Sequence, residues 1–344
     1  VNILSDLRIG VVGAGAIGTS HAKLLSNRIS GAVMAAVNDV NEERAKQLAQ
    51  ESGARYVGDP HELIHSGDVD AVLVTSWDAT HEEYVVSALN SGKYVFCEKP
   101  LSPTSGGCRQ IMEAEIAGGK RLLQVGFMRR FDEYYRQLKQ VLAEGMMGAP
   151  LMVHCHHRNQ WPAGAVHTTD TLITRALSHE FDILRWLLED DYVSAQMIRP
   201  APSKYAEAGL LDPQQALLRT RRGICIDAEI AMHARYGYDI GCEIVCEEGS
   251  VFLPQPATPV LYWKGRKSRE IYNGWKLRFM RAYETELNEW VSSVKKGEIT
   301  GPSAWDGYVS SEVADICVKA GELDQRLPVD IGECPEFYAK DRKH

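Results

Sequence analysis

Arg8-Ile9-Gly10-Val11-Val12-Gly13-Ala14-Gly15-Ala16-Ile17-Gly18 is the stretch that decides the fold. Ile9 to Val12 is an apolar run that reads as a buried strand. It breaks into Gly13-x-Gly15-x-x-Gly18, and a helical pattern follows from Ser20 to Leu25. Each glycine has its own task. Gly13 makes the tight turn, Gly15 lacks the Cβ that would keep a pyrophosphate off the backbone, and Gly18 lets the helix lie close on the strand. The free N–H groups at the helix start, around Ala16, Ile17 and Gly18, then face the phosphates.

A second strand, Gly31 to Val37, ends in Asn38-Asp39. Asp39 stands about 20 residues beyond the last glycine, where a carboxylate accepts hydrogen bonds from ribose hydroxyls. Its charge repels a 2′-phosphate, so NAD is expected rather than NADP. Arg44, shortly after it, keeps NADP open as the lesser reading.

Strands and helices alternate as far as Val125. The strands are expected at Ala54 to Val57, Asp70 to Thr75, Tyr94 to Glu98 and Leu122 to Val125. Helices are expected at Asn41 to Glu51, His61 to His65, Glu82 to Ser91 and Gln110 to Ala117. Such alternation is the mark of an α/β doubly wound parallel sheet, a Rossmann domain, over residues 1–126. Ligands of these sheets bind beyond the carboxyl ends of the strands. That singles out Asp39, Thr75-Ser76-Trp77 and Glu98-Lys99-Pro100. Pro100 restricts Lys99, with the bond between them open to cis or trans. Read locally, Lys99 is a turn lysine. Beside a nicotinamide, its ammonium would stabilise the oxygen of an alcohol losing hydride.

The bulk numbers agree with a soluble globular protein. The chain has 344 residues, enough for two domains, with 44% hydrophobic and 24% charged residues. The net charge of −8 argues against a nucleic-acid partner. No apolar run reaches the roughly 18 residues of a membrane span. The eight cysteines contain no C-x-x-C pair, and the N-terminus shows no basic-then-apolar leader, so reduced thiols in the cytoplasm are expected. Cys155-His156-His157 comes nearest to a metal cluster, but strand alternation turns His156 away from its neighbours, and no metal is expected.

Beyond Phe127 the pattern changes to an α+β domain over residues 127–300. A helix is expected from Phe131 to Ala143. β-type runs follow at Leu151 to His156, Val193 to Ile198, Gln215 to Arg219, Ile224 to Met232, Gly241 to Cys246, Val251 to Leu253, Val260 to Trp263 and Glu270 to Tyr272. They read as a large, mostly antiparallel sheet with one face on a helix and the other free for oligomer contacts. Helices from Arg278 to Lys295 and from Ser303 to Ala320 are expected to pack back on the nucleotide domain, with residues 301–344 as a C-terminal helix and tail. One helix, Thr171 to Leu188, interrupts the strands, with Asp170 as its N-cap. At α-helical spacing Arg175, His179, Asp182 and Trp186 fall within about 40° of one line. Three polar groups on an otherwise apolar helix read as a cleft wall. An imidazole titrates near neutrality, which suits His179 to take the proton of a secondary alcohol, with Asp182 orienting the ring or binding hydroxyls.

GAGAIG, the strand ending at Asp39, EKPL and then GFMRRFD together resemble the Gfo/Idh/MocA oxidoreductase family. HCHHRN, SHEFDILRWL, YGYDI and GPSAWDGY point to its inositol dehydrogenase branch. The likeness runs from about Arg8 to Tyr338. It implies that Lys99 and His179 are catalytic, aided by Asp182. It implies cofactor contacts from Gly13, Gly15, Ala16, Ile17, Gly18, Asp39, Thr75, Ser76, Trp77, His81, Glu98 and Lys99. It implies polyol contacts from Met128, His157, Asn159, Arg175, His179, Asp182 and Tyr238. A homotetramer built through the large sheet, and a cyclitol or sugar as substrate, are implied with them. A polyol presents a hydroxyl on every carbon, and a site rich in Lys, Arg, His, Asn, Asp and Tyr can pair each of them. Asn159 to Thr169 reads as a loop over that site.

Arg175 departs from the pattern. The family resemblance leads one to expect Asp four residues before the histidine. A permanent cation there lowers the imidazole's proton affinity, where a carboxylate would raise it. The expectation is retained dehydrogenase chemistry with altered substrate or stereochemical preference. An NAD-dependent glycosidase and a non-catalytic NAD-binding sensor are the alternatives on the same fold.

Overall fold

The structure is a computed structural model and describes residues 6–160, 167–256 and 258–339. The chain forms two compact units. One gathers Val1–Met128, Tyr283–Glu312 and Gly332–His344; the other gathers Arg129–Ala282 and Val313–Ile331.

The first unit is built on six strands: β1 (Leu7–Val12), β2 (Ala32–Asn38), β3 (Arg55–Tyr56), β4 (Ala71–Val74), β5 (Tyr94–Glu98) and β6 (Leu123–Gly126). All pair in parallel, in the order β3-β2-β1-β4-β5-β6. This is the doubly wound order, and the chain reverses direction across the sheet between β1 and β4, where a crevice opens for a ligand. The strands are continuous apolar runs because helices cover both faces. Ile9, Val11, Val72, Leu73, Val95 and Phe96 are wholly buried.

Helix starts follow their caps more than their apolar periodicity. Asn41 accepts from the Arg44 N–H, Asp59 from that of His61, and Thr104 from that of Gly107. The last cap starts its helix at Ser105, well before the expected Gln110. The boundary between the two units falls inside the expected 127–300 segment. Tyr283 and Trp290, on the helix Trp275–Lys296, pack edge-on against His21 and Phe96, so this part of the chain belongs to the dinucleotide unit. Pro302 follows suit, its carbonyl accepting from the Val125 N–H at 2.9 Å.

The second unit carries β7 (Pro150–Arg158), β8 (Tyr192–Ile198), β9 (Gln214–Thr220), β10 (Cys225–Ala231), β11 (Asp239–Cys246), β12 (Ser250–Phe252), β13 (Val260–Trp263), β14 (Arg266–Arg269) and β15 (Leu327–Pro328). Seven of them form a sheet in the order β12-β11-β7-β10-β9-β8-β15. Only the β7–β10 pairing is parallel, so the sheet is mostly antiparallel as expected. Pairing of β15 with β8, and a bond from Arg199 to the Gly321 carbonyl at 2.7 Å, account for Val313–Ile331 belonging here rather than to the expected 301–344 segment.

Strand alternation divides β7 cleanly. Val153, Cys155 and His157 face the buried side with Ile226, Ala228, Ile230 and Ile244. His154, His156 and Arg158 face the other way and pair with Asp227, Asp239 and Glu229. The expected strand at Glu270 to Tyr272 is absent. The chain turns back earlier, through Lys264-Gly265, both at positive φ, and pairs Trp263 with Arg266. Two such residues close a tight hairpin whose twist suits its strands.

Candidate active site

At the carboxyl end of β1, Gly13 takes a φ of +104°. A Cβ there would strike the Ser76 backbone, and one on Gly18 would strike the Gly13 carbonyl and the Thr75 hydroxyl. At Gly15 a Cβ would meet nothing within 4 Å. Two glycines therefore serve packing, and the third keeps a face of the turn open. The helix Ala16–Asn27 begins there with Gly15 as N-cap, so the N–H groups of Ala16, Ile17 and Gly18 have no carbonyl one turn back to bond. The side chains of Ala16 and Ile17 leave this rim partly exposed.

Asp39 sits where β2 ends. One carboxylate oxygen accepts from the Ala14 N–H at 2.6 Å and the other from the Asn41 N–H at 2.7 Å. The acid thus braces the glycine turn, and its remaining lone pairs are free for ribose hydroxyls. Arg44 reaches it at 4.0 Å from a half-exposed position. Thr75 donates to the Gly13 carbonyl at 2.7 Å, Ser76 and Thr80 share a hydrogen bond at 2.7 Å, and the Trp77 ring is 68% exposed. These are the features a dinucleotide requires, and the residues fit one.

The Lys99–Pro100 bond is cis. Glu98 is buried and binds His21 at 2.7 Å through one oxygen and the Lys99 N–H at 3.1 Å through the other. His81, expected among the cofactor contacts, has both ring nitrogens on backbone carbonyls, Pro100 at 2.9 Å and Ser76 at 3.2 Å. Burial pushes its pKa down. A neutral imidazole carries one N–H, so it donates to one of these two carbonyls. His21 is a residue that sequence reasoning missed; its signal was an imidazole on the buried face of the glycine-turn helix.

In the second unit, the helix expected from Thr171 starts instead at a capping box between Thr168 and Thr171, with Asp170 inside the first turn. Leu172–Leu177 then runs as a π-helix before the α-helix Ser178–Leu188. Arg175 therefore stands in the π segment, and His179 and Asp182 in the α-helix that follows it. π segments concentrate at functional sites. His179 is 7% exposed and its ring centre lies 6.2 Å from that of His157. The positive field of Arg175 reaches His167, whose pKa falls through burial first and Arg175 second.

Asp182 does not stand in the helix as an isolated acid. Arg130 grips both of its oxygens with a guanidinium fork, one contact at 2.9 Å. Arg129 does the same service two residues earlier, pairing with Glu180 and donating toward His157 Nδ1 at 3.2 Å. Glu180 also lies 3.3 Å from that nitrogen. The consecutive arginines of GFMRRFD thus clamp the two acids of SHEFD, a complementarity of charge in two apolar stretches that sequence reasoning overlooked. Tyr238 packs its ring against His157 at 5.8 Å and Phe279 at 6.1 Å, and burial pushes its hydroxyl up to about 12. Asn159 is fixed through its backbone, to Ala231 at 2.8 Å and Ala234 at 3.0 Å. Met128, in the first unit, is buried in the short turn Met128–Phe131. Of the expected loop Asn159 to Thr169, residues 161–166 lie outside those described.

Burial pushes the Glu180 carboxyl up, but Arg129 and His157 outweigh it and hold it at about 2. A depressed folded-state value contributes stability that is present above the ordinary carboxylate range and is lost as pH falls through it. Glu180→Gln strands the Arg129 charge and is expected to cost about 3–5 kcal/mol. Urea unfolding measures it: the gap to wild type should be full at neutral pH and shrink on acidification.

All eight cysteines are free thiols, six of them buried. No helix among the described residues is long and apolar enough to cross a membrane.

The sheet order and the glycine turn define a dinucleotide-binding protein. The chain belongs to the Gfo/Idh/MocA family: residues 7–127 match the model described as oxidoreductase family, NAD-binding Rossmann fold, and residues 139–331 its C-terminal alpha/beta domain. NAD is the cofactor. Among its relatives, the inositol 2-dehydrogenase of Burkholderia cenocepacia is 50% identical over 334 residues, 96% of this chain and 99% of that one. The inositol 2-dehydrogenase of Azotobacter vinelandii is 50% identical over 335 residues, 97% and 99%. The crystal structure of myo-inositol dehydrogenase from Lactobacillus casei, in complex with NAD(H) and myo-inositol, is similar with a TM-score of 0.93 and 36% identity, covering 97% of this chain and 99% of that one.

Asp39→Ser removes the carboxylate that opposes a 2′-phosphate and leaves Arg44 to receive one. Kd for NAD is expected to rise and that for NADP to fall, moving the ratio about tenfold or more. Titration of both nucleotides checks it.

Proposed function

We propose that this chain is an NAD-dependent dehydrogenase that oxidises a secondary alcohol of an inositol-like cyclitol or a sugar of the same shape. Identity of 50% to inositol 2-dehydrogenases over 96% of the chain carries the reading. When bound, NAD supplies the hydride acceptor. Lys99, on its cis turn, donates to the substrate oxygen and stabilises the charge that develops there. His179 accepts the hydroxyl proton at an imidazole nitrogen. Asp182, held by Arg130, and His157, held by Arg129, present fixed acceptors and donors to the remaining hydroxyls. Met128, Asn159, Arg175 and Tyr238 complete the polyol contacts.

Arg175 favours one second reading, a cofactor-binding sensor or glycosidase with no net oxidation. The test is the appearance of NADH absorbance on adding inositol isomers and aldoses, with NAD and NADP in parallel. Turnover of a cyclitol supports the dehydrogenase; aryl-glycoside cleavage without NADH, or no reaction with any, overturns it.

We further propose that the protein works in the cytoplasm as a homotetramer. The outward face of the large sheet and the exposed Leu261, Tyr262 and Trp263 of the β13–β14 hairpin support subunit contacts. Light scattering of the purified protein decides between one and four copies.

A further inference from the structure

A buried pair in the first unit has no part in the chemistry proposed above. His21 lies on the helix Ala16–Asn27, just past the glycine turn, and is fully buried. Its Nε2 is 2.7 Å from Glu98 Oε1, and Glu98 is itself 6% exposed. The other oxygen, Oε2, accepts the Lys99 N–H at 3.1 Å. The imidazole ring stands edge-on to Phe96 at 5.7 Å and to Tyr283 at 5.3 Å. Among the described residues its Nδ1 has no hydrogen-bond partner.

These contacts fix the protonation of the pair. A proton on Nδ1 would be an orphaned donor in an aromatic pocket, while a bare lone pair there loses less. The proton therefore sits on Nε2 and is donated to Glu98. Both Glu98 oxygens then act as acceptors, as an ionised carboxylate does. The titratable groups that face Glu98 are few. His21 comes from the glycine-turn helix, and Tyr283, from the helix Trp275–Lys296, touches it through His21. Cys97 and Lys99 flank it on its own strand end, and His81 across the loop feels its charge, as Cys97 does.

We propose that His21 and Glu98 form a positioning dyad for Lys99. The imidazole N–H holds the Glu98 carboxylate in one orientation, and the carboxylate holds the main chain of Lys99. His21 rides on the helix whose start faces the dinucleotide phosphates, so the dyad also ties the cofactor helix to the lysine. The proposal rests on the reading of Lys99 as the group that polarises the substrate oxygen.

Two variants test it, His21→Gln and His21→Leu. Both lose the imidazole. Glutamine keeps an N–H donor close to where Nε2 stood, and leucine offers none. The leucine variant is expected to lose about 10–100-fold in kcat, since a small misplacement of a reacting group costs that much. Its KM and its Kd for NAD should stay near wild type, and the glutamine variant should recover most of the kcat. The second readout is Tm at neutral pH. In the leucine variant the buried Glu98 carboxylate loses its side-chain donor, which costs stability, and glutamine restores one. The Tm of the leucine variant should lie below that of the glutamine variant. Equal kcat in the two variants, or an equal Tm, would overturn the dyad and leave His21 as packing. Should wild type turn over no polyol, that outcome counts against the dehydrogenase reading alone, and the Tm gap still decides the dyad.

Discussion

Lys99→Met is expected to lower kcat for cyclitol oxidation by about 10³ while Kd for NAD barely moves. Removing one donor aimed at a developing oxyanion costs about 10²–10³ in other enzymes, and the loss here includes a full positive charge. Methionine matches the length and apolar stem of lysine, so the fold should persist. The local setting supports the separation of effects. Lys99 is anchored by its backbone to Glu98 and precedes a cis proline whose carbonyl is tied to His81. The cofactor turn is braced elsewhere, by Asp39 and Thr75. Single-turnover kinetics with saturating NAD measure the first effect and nucleotide titration the second. A kcat within tenfold of wild type would remove Lys99 from the chemistry.

Arg175→Asp has the second largest expected effect, and its sign is the opposite. The guanidinium sits on a π segment one turn before His179, and its field already lowers the proton affinity of His167. A carboxylate in its place would raise the basicity of nearby imidazoles and accept a hydrogen bond from a protonated ring. The kcat/KM for myo-inositol is expected to rise about tenfold or more, within the range that an acid–base partner contributes. Arg175→Met separates the two causes, since it removes the cation without supplying the acid. A gain in the Met variant alone assigns the effect to charge. No gain in either, or a fall, would mean that Arg175 belongs to the substrate site as it stands.

Much of the dinucleotide half was legible from local patterns. A glycine at positive φ, a strand buried on both faces and an acid at a strand end each leave a mark on neighbouring residues, and Gly13, Ile9 to Val12 and Asp39 took their expected places. The proton-handling half was only partly legible. His179 and Asp182 stand on one helix, so their spacing was readable. The π segment that carries Arg175 was not readable, because helical periodicity assumes one kind of turn. Arg129 and Arg130 were passed over because nothing near them in the chain is their partner. Glu180 and Asp182 lie some 50 positions away, and only the fold of the second unit makes them neighbours.

By itself the sequence determined the parallel sheet, the cofactor class and the residue types available for chemistry, because these rest on periodicity, glycine geometry and charge within short windows. Tertiary structure alone decided which polar side chains are held and by what: Asp182 by Arg130, His157 by Arg129 and Glu180, Glu98 by His21. Burial leaves such groups stable only when each finds a partner, and a partner found across the fold has no signature along the chain.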